Sequence, residues 1–231
     1  MRTILETDRD FICDITAPCF RNLIPEEAEL VRASKTQVSF RKGDNLIKQG
    51  AFASYILFMI TGLAKQYIEG DGTKNYNLRI IRPGEFVGLS AVFHENIFNY
   101  SSVALTDCQA YLVEKETMAR VVRQNGLFGF SIIKKYCEQN ASLLSTIRNL
   151  MYKQMNGRLA DTLLYIDSLK TETGEIFQLL SRKDIADFTG ISTESTVKLL
   201  KTFEKEGLIA LHDKDIKLLK HDALADISRR G

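Results

Sequence analysis

The period of the apolar residues changes once along this chain, and that change limits it to a β-rich part followed by a helical part. From Thr36 to about Glu114, apolar and polar residues alternate in short runs: Val38/Phe40, Leu46/Ile47, Tyr55 to Ile60, Leu78/Ile80, Val103/Leu105 and Tyr111/Val113. That is the period of strands with a buried face. Glycines punctuate the runs at 43, 50, 62, 70, 72, 84 and 88, so seven of the chain's 14 glycines fall in this stretch. Tight turns there would use their positive φ. Short strands with turn signals at this spacing predict a small barrel or sandwich, with Glu69-Gly70-Asp71-Gly72 as the clearest hairpin turn. After Lys115 glycine thins out. Ile133, Cys137, Asn140, Leu144, Ile147, Met151 and Gln154 then recur at alternating four- and three-residue steps, with Tyr136, Leu143 and Leu150 beside them. A helix this wide on its apolar side can face its own barrel with one stripe and an identical helix with the other; burial within a monomer gives the same period. Asn140 and Gln154 favour a coiled-coil seam, where polar residues set register.

Residues 1–35 read as short helices. Pro25-Glu26-Glu27 suits a first helical turn, and Leu23, Ile24, Ala28, Leu30 and Val31 would cover apolar surface. A break at 153–156 precedes an amphipathic stretch from Arg158 to Leu169 and a polar segment, 170–175, turning at Gly174. Ser181 with Asp184 is a capping-box signature for a short helix through Phe188. Thr189-Gly190-Ile191 makes a turn, Ser192 caps a second helix to Glu206, and Gly207 ends it. On that helix Val197, Leu200 and Phe203 face inward, leaving Thr193, Glu194, Thr196, Lys198 and Lys201 outside. Residues 208–211, 212–215 and 216–219 close the chain as strand, turn and strand. Short helix, glycine turn and second helix with a polar first turn is the geometry that places a recognition helix in the major groove. An ordinary helical hairpin with a terminal β-ribbon shows the same pattern.

At 231 residues the chain can bury one large core or two modest ones. No apolar run approaches the roughly 18 residues of a membrane span, and Tyr55 to Ile60 is the densest. Glu6, Asp8 and Asp10 at the N-terminus, without an apolar stretch, argue against a secretory signal, so a cytoplasmic location and no membrane partner are expected. Cys13, Cys19, Cys108 and Cys137 make no dense disulfide framework and are expected as free thiols. From Met155 onward there are twelve Lys/Arg and thirteen Asp/Glu. Any DNA contact must therefore come from how charges are arranged on one face. Only three His are present, with no nucleophile–base pairing or metal-ligand spacing, and His94 reads as a surface loop residue rather than a haem ligand. An enzyme is not expected.

Several motifs carry a resemblance in a fixed order. Gly43-Asp44, Gly50, Gly62 and Gly84-Glu85-Phe86-Val87-Gly88 are followed by Gly157-Arg158-Leu159-Ala160 with Thr162-Leu163-Leu164, then by Gly190-Ile191-Ser192-Thr193-Glu194-Ser195-Thr196-Val197-Lys198. Over nearly its whole length the chain resembles the bacterial cyclic-AMP receptor / fumarate-nitrate regulator superfamily. The resemblance implies an α+β fold: an N-terminal double-stranded β-helix (a jelly-roll barrel like those binding cyclic nucleotides) over residues 1–125, a dimerisation helix and hinge over 126–154, and a winged helix-turn-helix over 155–231. It implies a homodimer joined through Ile133, Cys137, Asn140, Leu144, Ile147 and Met151, reading a pseudo-palindrome in double-stranded DNA, with RNA polymerase as a further partner. By position, Glu194 matches a base-reading glutamate that accepts from a cytosine amino group. Lys198 stands where most members carry an arginine, and it keeps the charge but loses the fork. Thr193 stands where one branch has another base-reading arginine. Ser181, Arg182, Lys183, Ser192 and Lys201 would be phosphate contacts.

The effector pocket implied by the resemblance is Gly88, Leu89, Ser90, Tyr100, Ser101 and Ser102. Leu89 replaces the glutamate that meets the ribose in the cyclic-nucleotide branch, and no Arg or Lys occurs between Arg82 and Lys115. A buried phosphate would lack a cationic partner. Ordinary cyclic AMP binding is therefore not expected, and the effector is left unassigned. The oxygen-sensing branch holds an iron–sulfur cluster on four cysteines. Cys13, Cys19 and Cys108 have plausible positions for three of them, with Asp10 in place of the other; a cluster is possible but not favoured, since thiolates are the normal ligands. A third reading is a cyclic-nucleotide-binding module serving an enzyme or channel, which the helix-turn-helix at the end of the chain disfavours.

Overall fold

The computed structural model describes Met1–Leu5, Asp8 and residues 18–71, 74–94, 96–169 and 176–231, with Pro18 and Cys19 described in backbone only. Gly72, expected in the hairpin turn, and Gly174, expected in the turn of 170–175, lie outside the described residues. The chain divides into two compact units, one of residues 1–69 with 79–141 and one of 70–78 with 142–231.

The barrel strands are β1 (Arg2–Ile4), β2 (Lys35–Phe40), β3 (Asn45–Ile47), β4 (Tyr55–Thr61), β5 (Ala64–Glu69), β6 (Asn75–Ile81), β7 (Phe86–Val87), β8 (Ser101–Ala104) and β9 (Cys108–Glu114), all within the first unit except residues 75–78 of β6. They form two sheets, ordered β1-β2-β9-β4-β7 and β3-β8-β5-β6. The described pairings are antiparallel, such as Lys35↔Val113 to Phe40↔Cys108 between β2 and β9. Helices α1 (Pro25–Ala33), α2 (Lys115–Gln124) and the start of the long α3 (Gly126–Tyr152) cover one face.

Within the apolar run 55–60, residues 56–59 of β4 are buried on both sides, as in central strands without a solvent face, while Tyr55 at its end is exposed. Leu57 and Met59 join Val38, Phe40, Ala110 and Cys108 in the barrel interior. Ile56 and Phe58 face the opposite way, among Val31 of α1, Met118 and Val121 of α2 and Phe128 and Ile132 of α3. Cross-strand pairs Ile56↔Val113 and Phe58↔Tyr111 lie in this helix-covered layer. Phe20 closes it edge-on to Phe58 and Phe86, with ring centroids 5.1 and 5.7 Å away.

Three local expectations need correction. The N-terminal segment includes β1, which pairs Arg2↔Ser39 to Ile4↔Gln37 along the free edge of β2, so residues 1–35 are not all helical. Edge pairing depends on a partner far along the chain, which local pattern does not reveal. Ile24 is exposed rather than covering apolar surface; its N–H donates to the Glu27 carboxylate at 3.1 Å, capping α1. Leu105 lies just beyond β8, although it is buried. The hairpin turn after β5 begins as expected, with Gly70 N–H donating to the Lys74 carbonyl at 2.9 Å.

The second unit contains α4 (Met155–Ser168), a 3-10 turn (Ile176–Leu179), α5 (Arg182–Thr189), α6 (Thr193–Lys205), the hairpin β10 (Ile209–His212) and β11 (Asp215–Leu218), and α7 (His221–Arg230). Leu159, Leu163 and Ile166 of α4, Ile185 of α5, Leu200 and Phe203 of α6, Ile209, Ile216 and Leu224 are all buried here. The hairpin strands run one residue further into the turn than expected, ending in the pair His212↔Asp215. The chain does not finish on that hairpin. Helix α7 follows and packs on α4, with His221 Nε2 2.8 Å from Asp167 and Ser228 joined to the Lys153–Asp161 pair. Its signal was present: Asp222 in the first turn and Arg229 and Arg230 in the last complement the helix dipole.

Two glycines with the same backbone sign separate conformational strain from crowding. Gly62 has φ +84°, and a Cβ there would lie 2.3 Å from the Asp107 carbonyl oxygen and 2.7 Å from Cys108 Sγ. Gly43 has φ +90° with nothing within 4 Å. Gly43→Ala is therefore expected to cost about 1–2 kcal/mol, and Gly62→Ala about 2–4 kcal/mol, in urea unfolding. Equal losses at the two positions would show that the contact at Gly62 carries no weight.

Candidate nucleic-acid interface

Helices α5 and α6 meet across a short turn whose local chemistry is fully accounted for. Ser181 caps α5: its hydroxyl accepts from Asp184 N–H at 3.1 Å, and the Asp184 carboxylate accepts from Ser181 N–H at 2.8 Å. Gly190 ends α5 at φ +69°, where a Cβ would also meet Leu150 Cδ2 at 2.7 Å. Ser192 then caps α6, accepting from Ser195 N–H at 3.1 Å. The two serines expected as phosphate contacts are thus the two cap residues, each at a helix N-terminus whose free N–H groups favour anions.

The inward face of α6 is Thr196, Leu200 and Phe203. Thr196 was expected outside but is fully buried, while Val197 is only half-buried. The Thr196 hydroxyl donates to the Ser192 carbonyl at 3.0 Å, so it enters the core with its polar group satisfied. Thr193, Glu194, Lys198 and Lys201 are exposed, as expected. Glu194 and Lys198 pair at 2.7 Å while remaining 77% and 74% exposed. An intrahelical pair this open contributes only a few tenths of a kcal/mol, so either group can turn to an outside ligand at little cost.

The remaining basic residues differ in their freedom. Lys183 is half-exposed and pairs with Asp187 at 2.7 Å along α5. Arg182, also expected on phosphate, is folded onto the β10–β11 turn, where its Nη2 donates to the Asp213 carbonyl at 2.9 Å. Along α3, Ile133, Cys137, Asn140, Leu144, Ile147 and Met151 are all exposed. Their stripe is not buried within the chain.

In the barrel, the expected effector residues lie in a polar cluster whose charged groups are paired with one another. Gly88 N–H donates to the Tyr100 hydroxyl at 2.7 Å, and the Phe98 ring packs against Gly88. Leu89 is buried and Ser90 half-buried. Ser101 Oγ accepts from Gln49 N–H at 2.9 Å and donates to the Glu69 carboxylate, while buried Ser102 Oγ has no partner among the described residues. Sequence reading found no cation in the segment but missed Arg79, brought in by β6. Its charge acts on Tyr100, and its guanidinium is bound by Glu85 and by Gln66, the latter at 2.9 Å. Burial pushes the Tyr100 hydroxyl above its ordinary range, partly offset by the Gly88 N–H bond and the Arg79 charge.

Among the described residues, no group of three or more His, Cys, Asp or Glu is arranged to hold a metal ion. Asp10, Cys13 and the Cys19 side chain lie outside the described residues. Cys108 Sγ donates to the Leu63 and Thr106 carbonyls, at 3.3 Å each, and burial pushes its thiol up. That environment favours a protonated core thiol over a thiolate ligand. No helix among the described residues is long and apolar enough to cross a membrane.

Two family models match the chain: a cyclic nucleotide-binding domain over residues 37–125 and a Crp-like helix-turn-helix domain over 157–227. It is 25% identical over 199 residues to the anaerobic regulatory protein of Bacillus subtilis, covering 84% of this chain and 83% of that one. It is 26% identical over 180 residues to the cAMP-activated global transcriptional regulator CRP of Salmonella typhimurium, covering 74% and 83%. The structure of a Crp/Fnr-family regulator from Eubacterium rectale superposes with a TM-score of 0.75 at 19% identity, over 92% of this chain and 98% of that one. With the capped helix pair, the wing and the two-sheet barrel, these matches make the chain a member of the cyclic-AMP receptor / fumarate-nitrate regulator superfamily of transcription regulators.

Proposed function

We propose that this regulator works as a homodimer that places α6 of each protomer in the major groove of a pseudo-palindromic operator, with half-sites about 34–36 Å apart. The observation that carries the proposal is the first turn of α6. It is capped by Ser192 and, with the turn after it, presents Glu194 and Lys198 to solvent on a helix whose other face is locked into the core. Glu194 accepts from a cytosine amino group, Lys198 meets guanine or phosphate, and Thr193 offers a hydroxyl beside them. Ser181, Lys183, Ser192 and Lys201 position the domain on phosphates without reading sequence. RNA polymerase is the expected protein partner, in the cytoplasm.

Glu194→Ala is expected to cost about 1–3 kcal/mol on the preferred operator and to relax preference at one base pair per half-site. Lys198→Ala should weaken binding and lower the salt slope by about one unit per lysine neutralised, and Lys201→Ala should weaken all sequences alike. Binding across a library of operator variants at several salt concentrations separates the three. Unchanged base preference in the Glu194 variant at every position would remove α6 from the sequence-reading role.

The dimer is assigned to α3, whose exposed Ile133, Leu144, Ile147 and Met151 form an apolar stripe left uncovered by the protomer. Replacing Leu144 and Ile147 together by Asp would put unpaired charges into the seam and should yield monomers in analytical ultracentrifugation. A double variant that still sediments as a dimer rules this helix out as the contact.

The effector is not cyclic AMP bound in the ordinary way. Ser101 already donates to the carboxylate of Glu69, Arg79 is committed to Glu85, and Leu89 stands in place of an acid. A phosphate entering here would meet an anion and no free cation. Calorimetry with cyclic AMP should show no binding at micromolar concentrations, and the nucleotide should leave DNA affinity unchanged; either response would overturn this reading. The rival reading, a cluster on Cys13, Cys19 and Cys108, predicts visible absorption in anaerobically purified protein that the Cys108 environment argues against.

A further inference from the structure

Arg182 opens α5, where a cation meets the positive end of the helix dipole and gains from an acceptor outside the helix. Its acceptor is the turn between β10 and β11. Nη2 donates to the carbonyl of Asp213 at 2.9 Å, and the guanidinium lies in the field of both the Asp213 and Asp215 carboxylates. Asp213 is the one non-glycine among the described residues with positive φ, at +50°, a conformation that costs energy and persists where the surroundings hold it. Arg182 Nη1 and Asp215 Oδ1 are both buried and make no hydrogen bond among the described residues, so Asp213 is the acceptor that fixes the guanidinium. Burial lowers the Arg182 pKa, and the two aspartates raise it again. Lys214, between those aspartates, is exposed at the tip of the turn.

We propose that Arg182 is a positioning residue: it holds the β10–β11 turn against the start of α5 and so sets where the wing presents Lys214 to the DNA backbone, rather than contacting phosphate itself. The inference rests on the DNA-binding reading above for its functional half and on the free protein alone for its structural half. A guanidinium is suited to this because its rigid planar fork fixes the direction of the donor to the Asp213 carbonyl, whereas an ammonium is a freely rotating point charge on a flexible stem. Lysine in its place keeps the charge and loses the hold. A phosphate contact has the opposite property, since lysine serves a phosphate as a point charge.

The test compares full-length R182A, R182K, K214A and the R182A/K214A double variant. Amide hydrogen exchange of the free proteins should quicken in residues 212–215 by about tenfold or more in R182A and in R182K, and remain unchanged in K214A. Affinity is then measured for a duplex that the wild-type chain recovers from a randomised DNA pool. R182A, R182K and K214A should each weaken binding, and the double variant should bind no worse than K214A, because Arg182 acts only through the wing. Should R182A fail to fold, R182K carries the same comparison. Unchanged exchange at the wing turn overturns the proposal. So does an R182K variant with wild-type affinity whose loss in R182A multiplies with that of K214A, the pattern of an independent phosphate contact. If the wild-type chain recovers no duplex, the DNA reading fails, while the exchange measurement still decides whether Arg182 holds the wing.

Discussion

Residues 56–59 of strand β4 are buried on both faces, and the first unit is arranged around that fact. A strand apolar on both sides must be covered on both, and the chain covers it in two different ways. Leu57 and Met59 are enclosed by the barrel's own strands, whereas Ile56 and Phe58 require a second layer, supplied by α1, α2 and the beginning of α3. Each fully buried side chain of this size contributes about 1.5–3 kcal/mol of burial free energy. Phe128 and Ile132 are therefore what ties the start of α3 to the barrel, and they do so with one face of the helix only. The other face, from Ile133 to Met151, remains apolar and uncovered. A helix that satisfies its own barrel on one side and leaves a heptad stripe on the other has the means to join two copies without disturbing either core.

The residues that could be read from the sequence are those whose signal is local. The capping box at Ser181, the turn at Gly190, the cap at Ser192 and the exposed positions of Glu194 and Lys198 depend on neighbours within four residues, and the structure places each as expected. The pairing of β1 with β2, the docking of α7 on α4 and the arrival of Arg79 beside Tyr100 depend on residues far apart in the chain, and none of them was legible. Thr196 is an intermediate case. Its polarity suggested exposure, but a hydroxyl that bonds to the carbonyl four residues back carries its own acceptor into the core, and only the phase of Leu200 and Phe203 gives it away. Arg182 shows the same limit: its position at the start of a DNA-domain helix is local, but the wing turn that accepts its Nη2 lies 31 residues further along the chain.

The polar interior of the barrel is largely paired within itself. In Ser101, Glu69, Arg79 and Glu85 the chain provides donors, acceptors and both charges, and they satisfy one another. Buried or half-buried ions need partners whatever the function, so the loss of an external anion would leave such a cluster unstable unless internal carboxylates took its place. Glu69 on Ser101 and Glu85 on Arg79 meet that need. These pairs are the ground for the proposal that cyclic AMP is not bound in the ordinary way, because a phosphate would have to displace a carboxylate already in contact and then lie beside it. Among the described residues the buried hydroxyl of Ser102 makes no hydrogen bond, so the cluster is satisfied in charge but not in every polar atom.

Charge balance in the C-terminal half constrains how such a protein can use DNA. With twelve Lys/Arg against thirteen Asp/Glu from Met155 onward, the sequence-independent attraction that gives most nucleic-acid binders their baseline affinity is weak. Several of those acids are occupied: Asp184 in a cap, Asp187 on Lys183, Asp167 beside His221, and Asp213 and Asp215 around Arg182. Their work is structural, and it leaves Lys198, Lys201 and Lys214 exposed on α6 and at the wing tip. A domain arranged this way binds through a few placed contacts rather than through its net field. Each misplaced contact then removes a large share of the total, so wing and helix must be held in fixed relation before DNA arrives. That requirement gives a physical reason why an arginine held by the protein's own backbone, as proposed for Arg182, would serve recognition through the rigidity of the helix-turn-helix rather than through its charge.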